Sequence, residues 1–292
     1  MHRRSLLIGV PAAGLAVAAA AALGVDEGVL PGRAWLRGRL GLLGPDGQIP
    51  DVPIGPVTTG SFASAARGGT TTGWTLVRPP GVHGRLPLVV ALHGRGGDHT
   101  SIVDELGVPQ YLAQAVADGV PPFAVAAVHG GDTYWHPHDG TDSGAMVVDE
   151  LLPLLAAHGV RTGRVGLYGW SMGGYGALRL AGILGHSRAA GVAVASPAIW
   201  VDSSGVSGAG FSSAAEYDEY SVFGRQADLT GIPVRIDIGT DDPFYPAVKQ
   251  YVAGFPPSAG VESTFTEGGH TDGFWRRMLP AELAFLGGSL DA

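Results

Sequence analysis

Residues 164–181 read RVGLYGWSMGGYGALRLA, and this stretch combines a strand, a tight turn and a helix. The turn Gly169-Trp170-Ser171-Met172-Gly173 matches G-x-S-x-G, the pattern of a nucleophile elbow. In a chain with 48 glycines the pattern also arises by chance, so its context decides its value. An apolar strand over 164–168 and a helical pattern from 172 onward supply that context. The elbow needs small residues two positions either side of the nucleophile, because the strained turn brings backbone segments together. The stretch therefore predicts Ser171 as a nucleophile.

Working outward, strand-like apolar runs alternate with helical patterns from about residue 57 to the end. Continuous apolar strands that alternate with helices indicate a mostly parallel sheet covered on both faces, so we predict an α/β fold. The predicted strands are Phe62–Ala66, Thr72–Val77, Leu86–Leu92, Phe123–Val128, Val165–Tyr168, Gly191–Ala195, Val234–Ile238 and Ser263–Thr266. The predicted helices are Ser101–Asp118, Ser143–Ala157, Met172–Leu184, Pro246–Ala253 and Gly273–Leu286.

Chain order points to the base and the acid that a serine nucleophile needs. In α/β-hydrolases the triad runs Ser, acid, His, and His270 is the only histidine beyond His186. It lies in a Gly-rich loop between the last predicted strand and the last helix. The loop after Val234–Ile238 carries two candidate acids, Asp241 and Asp242. The spacing G-x-x-D before proline favours Asp242, and Asp241 remains the alternative.

An oxyanion hole requires backbone N–H groups directed at the oxygen that becomes negative. One is expected from Met172, the residue after the nucleophile. The second is expected from the loop His93-Gly94-Arg95-Gly96-Gly97, with Arg95 preferred and Gly94 next. His93 is interpreted as a residue that holds this loop, since the triad order leaves it no role as base.

Residues 196–231 form a long insertion between two strands and are predicted to act as a cap, because loops of this length in compact domains usually have a function. The predicted pocket residues are Trp135, Trp170, Trp200 and Phe211. The alternative for the aromatic side chains of the insertion is packing on the core. His136 and His138 are predicted at the pocket rim rather than in a metal site, since no H-E-x-x-H helix accompanies them. No metal or other cofactor is expected.

The first 25 residues carry paired arginines, Arg3 and Arg4, before an uncharged Ala-rich run. This pattern is typical of a twin-arginine export signal, and a retained membrane anchor is the alternative. The expected location is therefore outside the cytoplasm: secreted, periplasmic or in the cell envelope. Residues 26–56 are rich in Gly, Pro and Arg and are predicted to form a tether, with a short amphipathic piece at Trp35–Leu43. Residues 57–292 are predicted to form the folded domain.

Composition excludes several classes of protein. Without cysteine the chain has no disulfide, no thiolate nucleophile and no thiol-anchored lipid. The net charge of −8 argues against nucleic acid as a partner, because phosphate binding depends on clustered Lys and Arg. The hydrophobic content of 45% indicates a chain that folds.

Together, the elbow, the His-Gly loop at 93, Gly239-Thr240-Asp241-Asp242-Pro243-Phe244 and the Gly-Gly-His at 268–270 resemble the putative-esterase family. That family includes esterase D, feruloyl esterases and the mycolyltransferases of actinobacteria. The resemblance spans about residues 60–290 and implies an α/β-hydrolase fold and serine hydrolysis of carboxylic esters, with Ser171, Asp242 and His270 as the triad. The expected substrate is a small-molecule or lipid ester. The two alternatives are transfer of an acyl chain to a sugar or lipid of the envelope, and a non-catalytic binding protein on this scaffold.

Overall fold

The computed structural model describes residues 33–206, 208 and 210–291. The predicted export segment, residues 1–25, lies outside this part of the chain. Among the described residues, no helix has the length and apolar character needed to cross a membrane.

An eight-stranded sheet forms the centre of the molecule, in the strand order β1-β2-β4-β3-β7-β8-β9-β10. The pairs β1–β2 and β2–β4 are antiparallel and the other neighbours are parallel. A separate two-stranded hairpin is formed by β5 and β6. The strands are β1 Val57–Ser64, β2 Thr70–Val77, β3 Leu86–Leu92, β4 Ala124–Val128, β5 Pro137–His138, β6 Thr141–Asp142, β7 Val160–Trp170, β8 Ala189–Ala195, β9 Val234–Gly239 and β10 Glu262–Thr266.

Helices cover both faces of the sheet, as its mostly apolar central parallel strands require. The α-helices are α1 Arg33–Arg39, α2 Ser101–Asp104, α3 Val108–Ala117, α4 Ser143–Ala145, α5 Leu152–Ala157, α6 Met172–Arg188, α7 Ala214–Tyr220, α8 Tyr245–Ala253 and α9 Asp272–Asp291. A π-helical segment, Met146–Leu151, joins α4 to α5, and 3-10 turns occur at Ala65–Arg67, Ser203–Gly205, Gln226–Leu229 and Pro257–Ala259.

The core is divided by the sheet into two apolar layers. One layer packs α4, α5, α6 and α8 against the sheet, and the other packs α2, α3 and α9. This arrangement confirms the predicted α/β fold with a mostly parallel sheet. It also brings the loops after β3, β7, β9 and β10 to the carboxyl edge of the sheet, where ligands bind in such folds.

Two predicted helices differ from the structure. The segment predicted as one helix over Ser101–Asp118 consists of α2 and α3, because Gly107 adopts a left-handed conformation (φ 68°, ψ 31°) between them. The segment predicted as one helix over Ser143–Ala157 is interrupted by the π-helical residues. Hydrophobic periodicity continues through both segments, so the pattern alone does not show the breaks.

The segment predicted as a tether, residues 26–56, packs on the domain over its described part. The Tyr111 hydroxyl donates to the Gln48 carbonyl (2.7 Å), and the Arg78 N–H donates to the Pro56 carbonyl (3.0 Å). The Gly and Pro content that suggested a flexible linker instead allows close approach to the surface: a Cβ at Gly55 would lie 2.1 Å from the Arg78 carbonyl oxygen.

A buried polar cluster lies between α9 and the middle of the sheet. Glu282 of α9 and Asp237 of β9 have no exposed surface, and Arg235 Nε donates to Asp237 Oδ2 (2.7 Å). Burial raises the pKa of the Glu282 carboxyl well above its ordinary value, and the neighbouring Asp237 charge adds to the increase. Since Asp237 has the Arg235 guanidinium beside it, we assign the proton to Glu282 and the negative charge to Asp237.

We expect Glu282→Gln to become more stable than the wild type as the pH rises. A carboxyl whose pKa is raised in the folded state binds more protons folded than unfolded above its ordinary pKa of 4.5, so the wild type loses stability with rising pH. The side-chain amide of this variant does not titrate in this pH range, so the stability of the variant lacks this pH dependence. The difference in unfolding free energy should therefore grow by up to about 1.4 kcal/mol per pH unit between pH 5 and the folded-state pKa. Urea unfolding at pH 5, 6, 7 and 8 measures it.

The control is Glu262→Gln, which removes an exposed carboxylate that pairs with the same arginine (3.0 Å). Its stability difference from the wild type should show no comparable rise with pH. Parallel curves for Glu282→Gln and the wild type would show that Glu282 is ionised in the folded protein.

Candidate active site

The nucleophile elbow is formed where β7 turns sharply into α6. Ser171 has φ 55° and ψ −122°, a conformation that non-glycine residues rarely adopt and that costs on the order of 1–3 kcal/mol. The turn is closed by backbone bonds: the Ser171 N–H donates to the Ala195 carbonyl (3.1 Å), and the Ala198 N–H donates to the Ser171 carbonyl (2.9 Å). These bonds, together with the first turn of α6, hold the serine at the carboxyl edge of the sheet.

Glycine is required on both sides of Ser171. A Cβ at Gly169 would lie 2.1 Å from the Gly173 carbonyl oxygen, and one at Gly173 would lie 1.8 Å from the Leu92 carbonyl oxygen. Both obstacles are backbone atoms, which cannot turn away as a side chain can. The structure therefore supplies the physical reason for both small residues of the motif.

Three predicted side chains meet in a hydrogen-bonded chain. His270 Nε2 lies 2.8 Å from Ser171 Oγ, and His270 Nδ1 lies 2.8 Å from Asp242 Oδ2. The Asp242 carboxylate is buried, with its other oxygen accepting from the Phe244 N–H (2.9 Å). A carboxylate accepts only, so Nδ1 carries the proton and Nε2 faces the serine as an acceptor. Asp241 points elsewhere and pairs with Arg37 (3.1 Å).

Aromatic rings enclose the imidazole of His270. Trp275 stands edge-on to it, with ring centroids 5.1 Å apart, and Phe244 lies 5.4 Å away on centroids. A quarter of the histidine side chain remains exposed. Sequence reasoning assigned no role to these two rings, although Phe244 ends the loop that carries Asp242 and Trp275 lies in the first turn of α9. Their short separation in sequence from Asp242 and His270, respectively, was the available signal.

The loop after β3 borders the serine. A Cβ at Gly94 would lie 3.1 Å from Trp170 Nε1 and 3.4 Å from the Ser171 Cβ, so the loop passes close to the serine. His93 Nε2 accepts from the Gly130 N–H (2.9 Å), which places the proton on Nδ1, where it donates to the Gly94 carbonyl (2.7 Å). Burial lowers the pKa of His93 to about 4, so the ring is neutral at pH 7. His93 thus holds the loop, as its position in the sequence indicated.

The predicted second N–H donor, Arg95, follows directly. Because the C=O and N–H of a trans peptide point in opposite directions, the Arg95 N–H points away from His93 once the Gly94 carbonyl is bonded to that ring. Met172 is the first residue of α6, and no earlier helical carbonyl accepts its N–H. Of the two predicted donors, Met172 directly follows Ser171, and Arg95 lies on the loop after β3 that borders it.

A cleft of about 550 Å³ lies next to His270, because Phe244 lines it and packs against that imidazole. Its lining includes Tyr134, Trp200, Phe244 and Arg95. Trp200 was predicted here from the sequence. It belongs to the insertion 196–231, which packs over α6 and the β5–β6 hairpin and carries α7.

The other three predicted pocket residues lie in the core. Trp135 is 1% exposed and donates from Nε1 to the His93 carbonyl (3.3 Å). Trp170 is 1% exposed and packs toward Trp275 in the layer on the opposite face from α6, since adjacent strand residues point to opposite faces. Phe211 stacks on His136 (ring centroids 4.8 Å). These rings support the walls of the site rather than line it.

The two histidines predicted at the rim connect the insertion to the hairpin. His138 Nδ1 lies 2.6 Å from Glu216 Oε1 of α7. His136 is stacked between Phe211 and Tyr220, and burial lowers its pKa to about 4. Across the described part of the chain, no group of three or more His, Asp or Glu side chains is arranged to hold a metal ion.

Comparison with known proteins agrees with this architecture. The family model described as putative esterase matches residues 69–286. No curated protein is significantly similar in sequence. A ferulic acid esterase is 18% identical and has a TM-score of 0.69, with 80% of this chain and 98% of that chain covered.

Two further solved structures share the fold. An S-formylglutathione hydrolase from Agrobacterium tumefaciens is 17% identical, with a TM-score of 0.64, 80% of this chain and 95% of that chain covered. A fluorophosphonate-binding serine hydrolase from Staphylococcus aureus is 14% identical, with a TM-score of 0.65, 80% of this chain and 99% of that chain covered. Since the family model spans most of the chain, the protein belongs to the putative-esterase family and is a carboxylic ester hydrolase.

Proposed function

We propose that the protein hydrolyses carboxylic esters with Ser171 as nucleophile, His270 as general base and Asp242 as the acid that orients the base. The observation that carries this proposal is the continuous chain Asp242–His270–Ser171, with both links at 2.8 Å. The buried aspartate keeps the proton on Nδ1 and stabilises the imidazolium that forms when Nε2 takes the serine proton.

The reaction has two halves. In the first, Ser171 Oγ attacks the ester carbonyl, its proton passes to His270 Nε2, and the imidazolium returns that proton to the leaving alcohol. The product is an acyl-enzyme on Ser171. In the second half, His270 takes a proton from water, the hydroxide attacks the acyl carbonyl, and the imidazolium protonates Ser171 Oγ as the acid departs.

Backbone donors stabilise the negative oxygen in both halves. The N–H groups of Met172 and Arg95 are assigned to this oxyanion hole, because Met172 directly follows Ser171 and Arg95 lies on the loop after β3 that borders it. One such donor is typically worth on the order of 10²–10³-fold in kcat. The role of His93 is to hold the peptide that presents Arg95.

The cleft next to His270 receives an apolar part of the substrate. Trp200 and Phe244 pack edge-to-face on its wall, with ring centroids 5.4 Å apart, and Tyr134 adds a third ring. Aromatic side chains in the wall of a cleft stabilise a bound ligand when they contact its apolar or planar groups. We therefore assign this cleft to an apolar acyl or alcohol group of a small-molecule or lipid ester.

The proposal predicts that the wild type hydrolyses p-nitrophenyl esters and that Ser171→Ala loses at least about 10³-fold in kcat, because no other group can form the acyl-enzyme. A series from acetyl to palmitoyl measures the preferred chain length. Labelling by a fluorophosphonate probe, read by intact mass, should occur in the wild type and be absent in the variant.

Ser258→Ala, which alters an exposed serine in a 3-10 turn, serves as the control and should match the wild type. Hydrolysis that persists in Ser171→Ala at the wild-type rate would contradict the assignment of the nucleophile.

A further inference from the structure

The segment 36–49, here called the strap, lies outside the residues that the family model matches, 69–286. It begins in α1 and runs past the two loops that carry Asp242 and His270. The strap contacts those loops and the start of α9 in three places, through both side chains and backbone.

The first contact neutralises a buried charge next to the proposed triad acid. Arg37 Nε lies 3.1 Å from Asp241 Oδ2, and the Asp241 side chain has no exposed surface. A buried carboxylate is costly unless an opposite charge accompanies it. The Asp241 N–H also donates to the Gly268 carbonyl (2.9 Å), so the same residue ties the acid loop to the loop of the base. Arg37 therefore acts on both loops through one partner.

The second set of contacts holds the start of α9, which follows His270 directly. The Gly47 N–H donates to the Gly273 carbonyl (2.8 Å), and Arg277 Nη1 donates to the Pro45 carbonyl (3.0 Å). A Cβ at Gly47 would lie 2.2 Å from the Arg277 backbone nitrogen. The strap and the helix are thus in direct backbone contact.

The third contact reaches the residue before the base. A Cβ at Gly269 would lie 3.1 Å from Leu43 Cδ1, so the Leu43 side chain lies against the backbone that carries His270. Asp46 closes the same region, since its Oδ1 would be 1.9 Å from a Cβ at Gly273. No space remains for the loop 268–273 to shift toward the strap.

We propose that the strap positions the acid and the base of the esterase, and that Arg37 is its positioning residue. This inference rests on the proposed function. His270 must keep both of its 2.8 Å hydrogen bonds for turnover, and a displacement of about 1 Å can cost on the order of 10²-fold in rate. By pairing with Asp241 and packing on the loop 268–273, the strap restricts that displacement.

The charge contact is tested with a set of variants at Arg37 and Asp241. Arg37→Gln should lower kcat about tenfold with KM changed less than about twofold, because the cleft is untouched while the loops shift. Arg37→Lys should recover part of the loss. Arg37→Gln combined with Asp241→Asn should return kcat to within about threefold of the wild type, because the carboxylate that Arg37 neutralises is then absent. All rates are expressed per site labelled by a fluorophosphonate, which removes any effect of unfolded protein.

Arg188→Gln is the matched control, since it removes the same charge from an exposed position outside the strap, at the end of α6. Its kcat should equal that of the wild type. A wild-type kcat for Arg37→Gln would overturn the assignment of Arg37, as would a double variant no faster than Arg37→Gln.

The backbone contact is tested by Gly47→Ala against Gly163→Ala. The first forces a Cβ into backbone at 2.2 Å, whereas the second adds a Cβ at an exposed position of β7, outside the strap, with nothing within 4 Å. Gly47→Ala should increase amide hydrogen exchange in the peptide 267–277 at least about tenfold and lower kcat, since a detached strap leaves this segment open to local fluctuation. Gly163→Ala should do neither.

Hydrogen exchange separates this inference from the proposed function, because it needs no turnover. If the wild type lacks Ser171-dependent hydrolysis but Gly47→Ala still increases exchange in 267–277, the triad proposal fails and the bracing of the His270 loop stands. If exchange in 267–277 and kcat both stay at wild-type values in Gly47→Ala, the inference is overturned.

Discussion

Asp242→Asn is expected to lower kcat about 10⁴-fold, whereas Asp241→Asn should lower it less than about tenfold. The two residues are aspartates at adjacent positions, and the sequence analysis favoured Asp242 as the acid of the triad with Asp241 as the alternative. The structure separates them by their partners: Asp242 faces His270 Nδ1 at 2.8 Å, and Asp241 faces Arg37 at 3.1 Å.

The physical reason for the large effect is the tautomer of His270. A carboxylate can only accept, so it keeps the proton on Nδ1 and leaves Nε2 free to take the proton of Ser171 Oγ. An asparagine can donate through its amide, which stabilises the other tautomer and removes the base. It also removes the charge that stabilises the imidazolium.

Steady-state kinetics on the best p-nitrophenyl ester, expressed per folded molecule from circular dichroism, measures both variants. Each is an isosteric change at a buried site, so the two form a matched pair. Equal losses would contradict the assignment of Asp242 as the single acid, and a greater loss for Asp241→Asn would assign the acid to Asp241.

Much of the fold and of the candidate triad could be predicted because local rules determine them. Continuous apolar strands that alternate with helices require a covered parallel sheet. The elbow requires a strand, a serine between small residues and a helix, in that order. The position of His270 follows from chain order, since no other histidine comes after the acid loop. In each case the information lies within a few residues or in their sequence order.

Apart from Trp200, the walls of the site could not be predicted, because they depend on which face of each element a ring occupies. Trp170 is adjacent to Ser171 in sequence, yet strand alternation directs it to the opposite layer of the core. Trp135 follows β4 near the site, but its ring fills the space above Gly130 and Gly176, where a Cβ would lie within 2.3–2.7 Å of it. The sequence shows that a residue is aromatic, but it does not show which residues its ring packs against.

The strap was missed for a related reason. Gly and Pro between 44 and 56 are typical of linkers, and the same residues also permit backbone contact with a packed surface. A flexible linker and a packed segment can be told apart only from the surface that the packed segment contacts. In this protein that surface is formed by residues more than 200 positions later, such as Gly273 and Arg277. Local composition carries no information on a contact of this range.

Gly173→Ala is expected to destabilise the fold by more than about 3 kcal/mol and to abolish labelling of Ser171 by a fluorophosphonate. The added Cβ would lie 1.8 Å from the Leu92 carbonyl oxygen and within 2.7 Å of the His93 carbonyl oxygen. Both atoms are backbone, at the end of β3 where the loop for the oxyanion begins. Relief therefore requires α6 to move away from β3, which displaces Ser171 from that loop.

Gly288→Ala is the matched control, because it adds the same methyl group in another helix with nothing within 4 Å. It should be as stable as the wild type or slightly more stable, since alanine favours a helix over glycine by roughly 1 kcal/mol. Urea unfolding and the rate of labelling measure both variants. If Gly173→Ala were stable but unlabelled, the steric requirement would belong to the site alone. If it were both stable and labelled at the wild-type rate, the close approach of α6 to β3 would be incorrect, and with it the account of why the motif needs its second glycine.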